Sequence, residues 1–115
     1  SESIQLKECR KILQNLKRLR DAPPFLVPVD PDALGIPTYF QVIKKPMDIS
    51  TIEKKLSAYT KAQEFIDDVD LMFNNCYLFN GKDSPIGLMA QNLETSFRRQ
   101  LVRLTAEVSF ASTSP

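Results

Sequence analysis

The chain has 115 residues, of which 43% are hydrophobic and 25% are charged, and its formal net charge is +1. These values are typical of one soluble domain with a single core. A net charge this small argues against a general affinity for nucleic acid or for anionic membranes. No apolar run approaches the ~18 residues of a membrane span, and no signal peptide is visible. The chain starts abruptly inside a helical pattern and ends in "SFASTSP", so we interpret it as a domain cut from a longer protein.

The first predicted helix covers about residues 4–20. Apolar side chains recur there at helical spacing, at Cys9, Ile12, Leu13, Leu16 and Leu19. Residues 1–20 also carry six basic side chains against only Glu2 and Glu8, and such charge runs usually form a solvated helix face. We predict such a face here, and the alternative is a contact with nucleic acid through this helix.

Residues 21–48 interrupt the helical pattern. Six of the eight prolines lie among them, and proline removes backbone donors and stops a continuous helix. The segment is nevertheless rich in apolar and aromatic residues, which a disordered linker would lack. Long ordered loops in compact domains are often functional. We therefore predict either a rigid wall of a binding pocket or a loop that only covers one end of the core.

Three further helices are predicted at about residues 49–58, 61–79 and 85–108, followed by a tail at 111–115. Capping-box pairs place the start of the second helix at Ser50 with Glu53, and that of the third at Thr60 with Gln63. A serine followed by proline places the start of the fourth at Ser84. No repeat and no convincing strand is visible, so we predict one all-α domain over residues 1–110.

The two cysteines, Cys9 and Cys76, both lie within apolar helical patterns. Such positions favour buried free thiols over a disulfide and suit a reducing compartment.

An amide side chain follows the apolar stripe of the third helix. Asn80 comes four residues after Cys76, so its side chain is expected to point inward, half-buried, at the last helical turn. Because "NG" also signals the end of a helix, Asn80 has two interpretations. It caps the helix or forms the turn, or it donates an N–H to a neutral carbonyl in a pocket where the bundle meets the proline-rich loop.

Catalytic chemistry finds no support in the sequence. The chain has no histidine, the commonest general base, and no zinc-ligand spacing, phosphate-binding glycine loop or nucleophile motif. We therefore predict a binding module rather than an enzyme, with no metal and no cofactor. Its ligand is expected to be neutral and mostly apolar, with one acceptor oxygen.

Three stretches, "PFLVPVD", "IPTYFQVIKKPMDISTI" and "LMFNNCYLFNG", resemble the bromodomain of the bromodomain and extra-terminal (BET) family. The resemblance covers about residues 8–107, and "RLRDAPPFLVPVDPDALGIPTYF" is most similar to the first bromodomain of the fungal BET proteins. It implies a left-handed four-helix bundle (bromodomain) with a long proline-rich loop between helices 1 and 2. It also implies a nuclear acetyl-lysine reader that supports transcriptional regulation in chromatin. The implied partners are acetylated histone tails, in particular of the di-acetylated histone H4 type, and small-molecule acetyl-lysine mimics.

The resemblance further implies roles for individual residues. Asn80 would donate to the acetyl carbonyl, and Tyr39 would hold the same carbonyl through an ordered water. The other implied pocket positions are Pro24, Phe25, Val29, Leu34, Ile36, Cys76, Phe79 and the gatekeeper Ile86, with Pro23 and Met89 at the rim.

Two positions depart from the family pattern. Pro23 stands where a tryptophan is usual, so a large flat apolar surface is expected to be missing. Phe79 stands where relatives often have tyrosine, so a phenolic hydrogen bond is expected to be missing as well. A small gatekeeper such as Ile86 leaves room in the pocket, and the resemblance to first bromodomains of the family implies that two acetyl-lysines of one peptide could bind there together.

Overall fold

The computed structural model describes residues 3–113, and the side chains of residues 3–104. Its elements are α1 (Ile4–Lys17), a 3₁₀ turn (Pro23–Phe25), α2 (Pro31–Leu34), α3 (Tyr39–Val42), α4 (Ile49–Lys55), α5 (Ala62–Asn80) and α6 (Pro85–Thr113). None of the described residues lies in a strand. The helices α1, α4, α5 and α6 correspond to the four predicted ones and pack together, with α1 against the other three. The prediction of an all-α four-helix bundle is therefore confirmed.

Two helices end earlier than predicted, because their last turns tighten. After α1 the backbone N–H groups of Arg18 and Leu19 donate to carbonyls only three residues back, and Leu56 does the same after α4. Such 3₁₀-type bonds commonly close a helix. The helix α6 instead runs on to Thr113, beyond the predicted end at residue 108. The predicted tail at 111–115 thus starts inside this helix, and residues 114–115 lie outside the described residues.

The predicted caps were wrong for two helices and right for one. The cap of α4 is Asp48 rather than Ser50, since its carboxylate accepts from the backbone N–H groups of Ser50 and Thr51. At the start of α5 it is the carboxylate of Glu64 that accepts from the backbone of residues 60 and 61, so the predicted pair of Thr60 with Gln63 does not form the cap.

The predicted cap of α6 is confirmed. The backbone N–H of Gly87 donates to Ser84 Oγ at 3.0 Å, and Pro85 is the first helical residue.

The core lies between the four long helices and is centred on aromatic side chains. Phe65 and Phe73 from α5 meet Phe97 from α6 edge to face, with ring centroids 6.0 and 6.1 Å apart. All three are fully buried, as are Leu13 and Leu16 on the apolar stripe of α1. The helical spacing of the apolar residues therefore accounts for the packing.

The proline-rich loop is ordered and attached to the bundle. The side chain of Asn75, which is buried on α5, donates to the carbonyl of Lys45 at 2.8 Å. The backbone N–H of Ser50 donates to the carbonyl of Leu26 at 3.2 Å, and α3 packs against α5. The loop is thus held at both of its ends over one end of the bundle.

We predict that Asn75→Ala lowers the free energy of unfolding by about 1–2 kcal/mol, since it removes one hydrogen bond and leaves a loop carbonyl without its partner. Urea denaturation measures this change. The matched control is Asn74→Ala, because Asn74 is the neighbouring amide and is exposed. Equal effects of the two substitutions would contradict the anchoring role of Asn75.

Candidate functional site

A cavity of about 480 Å³ opens where the proline-rich loop meets the end of α5 and the start of α6. Its lining is mostly apolar, as is usual for the binding sites of small ligands. Eleven of the twelve residues predicted for the pocket and its rim lie together in this lining: Pro23, Pro24, Phe25, Val29, Leu34, Ile36, Tyr39, Cys76, Phe79, Asn80 and Ile86. Of the two interpretations of the loop, the structure thus favours the pocket wall.

Met89 is the predicted rim residue that does not line the cavity. It is half-buried and packs against the hydrophobic core. It lies three residues after Ile86 on α6, which places it about 4.5 Å further along the helix axis, away from the cavity.

Sequence reasoning missed seven lining residues: Val27, Pro28, Asp30, Ala33, Met47, Asp48 and Met72. The signal for Met72 was present, since it precedes Cys76 and Asn80 at four-residue steps on one face of α5. The other six lie in the proline-rich loop, where no helical or strand period predicts which side chains point inward.

Asn80 is the last residue of α5, and its side chain bonds back to its own helix while it lines the cavity. One amide N–H donates to the carbonyl of Cys76, one turn back on the same helix, at 3.2 Å. Gly81 follows with φ 88°, a conformation that favours glycine and ends the helix. Asn80 is exposed rather than half-buried as predicted, because the cavity it lines is open to solvent. The amide nitrogen carries two hydrogens, so it can also donate into the cavity.

Tyr39 forms a buried part of the cavity wall. It is 6% exposed, and its ring packs edge to face against Phe79 with centroids 4.9 Å apart. Burial raises the pKa of the Tyr39 phenol, with a smaller contribution from the nearby Cys76. The hydroxyl therefore stays protonated at neutral pH and can both donate and accept a hydrogen bond.

Both cysteines are buried free thiols, as predicted. Burial raises the pKa of Cys9 to about 11 and also raises the pKa of Cys76. The Cys76 thiol donates weakly to the carbonyl of Ile86, with sulfur and oxygen 3.7 Å apart. The wall next to Asn80 is therefore neutral at physiological pH.

Two carboxylates line the cavity, and both serve as helix caps. Asp48 is 3% exposed, and its oxygens accept from the backbone and hydroxyl groups of Ser50 and Thr51. Asp30 caps α2 by accepting from the backbone N–H of Ala33 at 3.2 Å. These hydrogen bonds stabilise the negative charges at helix N-termini.

No group of three or more histidine, cysteine, aspartate or glutamate side chains among the described residues could hold a metal ion. In the same part of the chain, no helix combines the length and the apolar composition that crossing a membrane would require.

The bromodomain family profile matches residues 9–92 of the chain. The chain therefore belongs to the bromodomain family, whose members are acetyl-lysine readers, and the four-helix bundle is the left-handed bundle of that family.

Relatives from fungi place the chain among the bromodomains of BET type. It is 51% identical to the SWR1 complex bromodomain subunit bdf1 of Schizosaccharomyces pombe over 102 aligned residues. The aligned stretch covers 87% of this chain and 18% of that protein. It is 45% identical over 105 residues to bromodomain-containing factor 1 of Saccharomyces cerevisiae, covering 90% of this chain and 15% of that protein. Bromodomain-containing factor 2 of the same yeast is 41% identical over 110 residues, or 94% of this chain and 17% of that protein. The chain thus spans less than a fifth of the length of these relatives.

We predict that the free energy of unfolding falls as the pH rises through and above about 10. The pKa values of Tyr39, Tyr59 and Tyr77 are all raised above the ordinary value of 10.0, for each mainly by burial. At a pH between the ordinary pKa of the unfolded chain and the raised pKa of the folded chain, the unfolded chain has lost phenolic protons that the folded chain keeps. Alkali therefore favours unfolding. Denaturation curves at neutral and alkaline pH measure this effect. In Tyr39→Phe, which has no phenolic proton at this position, the alkaline loss should be smaller, and an unchanged loss would contradict the assignment to Tyr39.

Proposed function

We propose that the cavity binds acetyl-lysine in acetylated histone tails and that the chain acts as a chromatin reader in the nucleus, supporting transcriptional regulation. The proposal rests on the bromodomain family match and on one observation. A mostly apolar cavity of about 480 Å³ presents an amide donor, Asn80, together with a buried phenol, Tyr39. The fungal relatives include a protein named as a subunit of the SWR1 complex, which agrees with a role in chromatin.

The proposed selectivity against unmodified lysine follows from the cost of burying a charge. An ammonium group that enters the cavity loses water, and an unpaired buried ion costs several kcal/mol. The carboxylates of Asp48 and Asp30 already accept hydrogen bonds at their helix N-termini. Acetylation removes the lysine charge and adds a carbonyl acceptor, so the acetylated side chain suits this lining far better.

The proposed contacts divide the acetyl group between polar and apolar partners. Asn80 would donate directly to the carbonyl oxygen, a bond that contributes about 0.5–1.5 kcal/mol net. Tyr39 would hold the same oxygen through a water, which is nearly as favourable in enthalpy. The methyl group would pack against Phe25 and Val29, while Pro24, Leu34, Ile36, Cys76, Phe79 and Ile86 would complete the wall.

The two departures from the family pattern are expected to affect affinity. Pro23 lines the cavity but is exposed, and it offers less flat apolar surface than an indole. Phe79 cannot donate a hydrogen bond and instead supports Tyr39 through their edge-to-face contact. We expect one acetyl-lysine to bind with a dissociation constant of about micromolar or weaker.

Calorimetric titration with one histone H4-type tail peptide in unmodified, mono-acetylated and di-acetylated forms tests the proposal. We expect no binding of the first form and the tightest binding of the third, because the small gatekeeper Ile86 leaves room for a second acetyl group. Asn80→Ala should abolish binding of the acetylated forms while the thermal unfolding temperature changes little.

The matched control for that substitution is Asn74→Ala, an exposed amide on the same helix that does not line the cavity. Undiminished binding by Asn80→Ala would remove the central role of Asn80. If the chain without substitutions binds no acetylated form of the peptide, the proposed function is wrong.

A second candidate function is contact with nucleic acid through α1. Lys7, Arg10 and Lys11 on α1 and Arg18 directly after it are exposed, and together with Gln14 and Asn15 they line a shallow groove of about 520 Å³. Lys11 also forms an ion pair with Glu8, with nitrogen and oxygen 3.1 Å apart. Their charges could neutralise phosphates, although the net charge of the chain is only +1.

We expect any binding of duplex DNA to this groove to weaken about 100-fold between 50 and 200 mM salt, for four phosphate contacts at the usual slope per contact. Acetyl-peptide binding should change far less, because its ligand group is neutral. The double variant Lys7→Glu, Arg18→Glu should lose DNA binding and keep peptide binding. If the double variant still binds DNA, the groove is not the DNA-binding site. If the chain without substitutions does not bind DNA, this second function is excluded.

A further inference from the structure

Gly87, the third residue of α6, lies against the back of the loop that follows Asn80. A methyl group added to its Cα would stand 2.1 Å from the carbonyl oxygen of Gly81, 2.7 Å from that of Lys82 and 2.9 Å from the carbonyl carbon of Lys82. All three are backbone atoms, so no side-chain rotation could relieve the overlap. The φ angle of Gly87 is not positive, and this glycine is therefore required by space rather than by its own conformation.

The same loop is bonded to α6 at two further points. The Ser84 hydroxyl donates to the carbonyl of Gly81 at 2.7 Å and accepts from the backbone N–H of Gly87 at 3.0 Å. The side chain of Gln91 donates to the carbonyl of Lys82 at 2.8 Å. Of the two carbonyls that Gly87 leaves room for, that of Lys82 is thus held by α6 itself and that of Gly81 by Ser84, the residue that caps α6.

This arrangement couples two walls of the cavity. Asn80 directly precedes Gly81, and Ile86 directly precedes Gly87, and both line the cavity. A substituent on Gly87 would push the backbone of the loop and the first turn of α6 apart. The amide of Asn80 and the side chain of Ile86 would then move relative to each other.

We propose that Gly87 is a positioning residue of the acetyl-lysine site. By letting the loop backbone lie directly against α6, it sets where the Asn80 amide stands and how wide the cavity is between Asn80 and Ile86. This inference rests on the proposed function, because it assigns Gly87 to the same site.

The substitution Gly87→Ala separates positioning from a local effect on the helix. Alanine is the better helix former, so a local effect alone would leave peptide binding unchanged. Positioning instead predicts a dissociation constant about 3- to 10-fold higher for the di-acetylated H4-type peptide, as expected for one weakened hydrogen bond. It also predicts shifted amide resonances of Asn80 and Gly81 in the free protein. The matched control is Leu88→Ala, at the next position of α6 and 50% exposed, which should leave both measurements unchanged.

The outcomes separate this inference from the proposed function. If the unmodified chain does not bind acetylated peptide, the proposed function is wrong, and so is the assignment of Gly87 to such a site. If the unmodified chain binds and Gly87→Ala binds equally well with unshifted Asn80 resonances, Gly87 has no positioning role. If Gly87→Ala does not fold, the peptide affinity of Ser84→Ala tests the inference instead. That substitution removes the hydroxyl bonded to the carbonyl of Gly81 and to the N–H of Gly87, and so loosens the same loop without adding volume. Unchanged peptide affinity in that variant, measured where it is folded, would overturn the inference.

Discussion

The cavity exists because residues 21–48 cannot continue a helix and yet carry too much apolar surface to remain in solvent. The prolines prevent long helices, so only the 3₁₀ turn and the short helices α2 and α3 form. Burial of Phe25, Tyr39 and Ile43 holds the segment on the bundle, and the bond from Asn75 to Lys45 fixes it to α5. A segment attached in this way cannot fill the end of the bundle as a helix would, and the space left over is the site.

Polar groups occur in this mostly apolar wall where a helix begins or ends. Asp48 and Asp30 accept from the free N–H groups at the starts of α4 and α2, and Asn80, at the end of α5, donates to the carbonyl of Cys76 one turn back. Helix ends leave backbone groups without intrahelical partners, so polar side chains there gain hydrogen bonds in the folded state. The amide keeps one N–H beyond what its helix uses. The fold can therefore place a donor in the cavity without leaving a buried polar group unsatisfied.

The sequence predicted the long helices and most of the site, and it did so for different reasons. Apolar residues such as Phe65, Val69 and Phe73 recur with the helical period, and that period decides which face is buried whatever the neighbouring helices are. The family resemblance, not periodicity, identified the loop residues Val29, Leu34 and Ile36.

The residues that cap the helices were harder to predict, because Asp48 and Ser50 are both of types favoured at helix starts. The choice between them depends on where the preceding loop enters, which no local pattern encodes. The role of Gly87 lies in a contact between α6 and the loop after α5, and the sequence alone does not predict that contact.

The lining of the cavity also affects how an acetyl-lysine reader could discriminate between acetyl-lysine and lysine, two ligands that differ only at one end. Lysine and acetyl-lysine share most of their length, so contacts along the stem cannot separate them. Discrimination between them requires that the end of the side chain contacts a surface that disfavours a positive charge and supplies one hydrogen-bond donor. Raised pKa values keep the Tyr39 phenol and the Cys76 thiol neutral, and the carboxylates are held at helix starts. In the proposed function, the alignment of the Asn80 amide would then decide whether the acetyl oxygen exchanges its water for a protein donor. If so, the position of the backbone on either side of Asn80 would matter more for recognition than the total apolar area of the cavity.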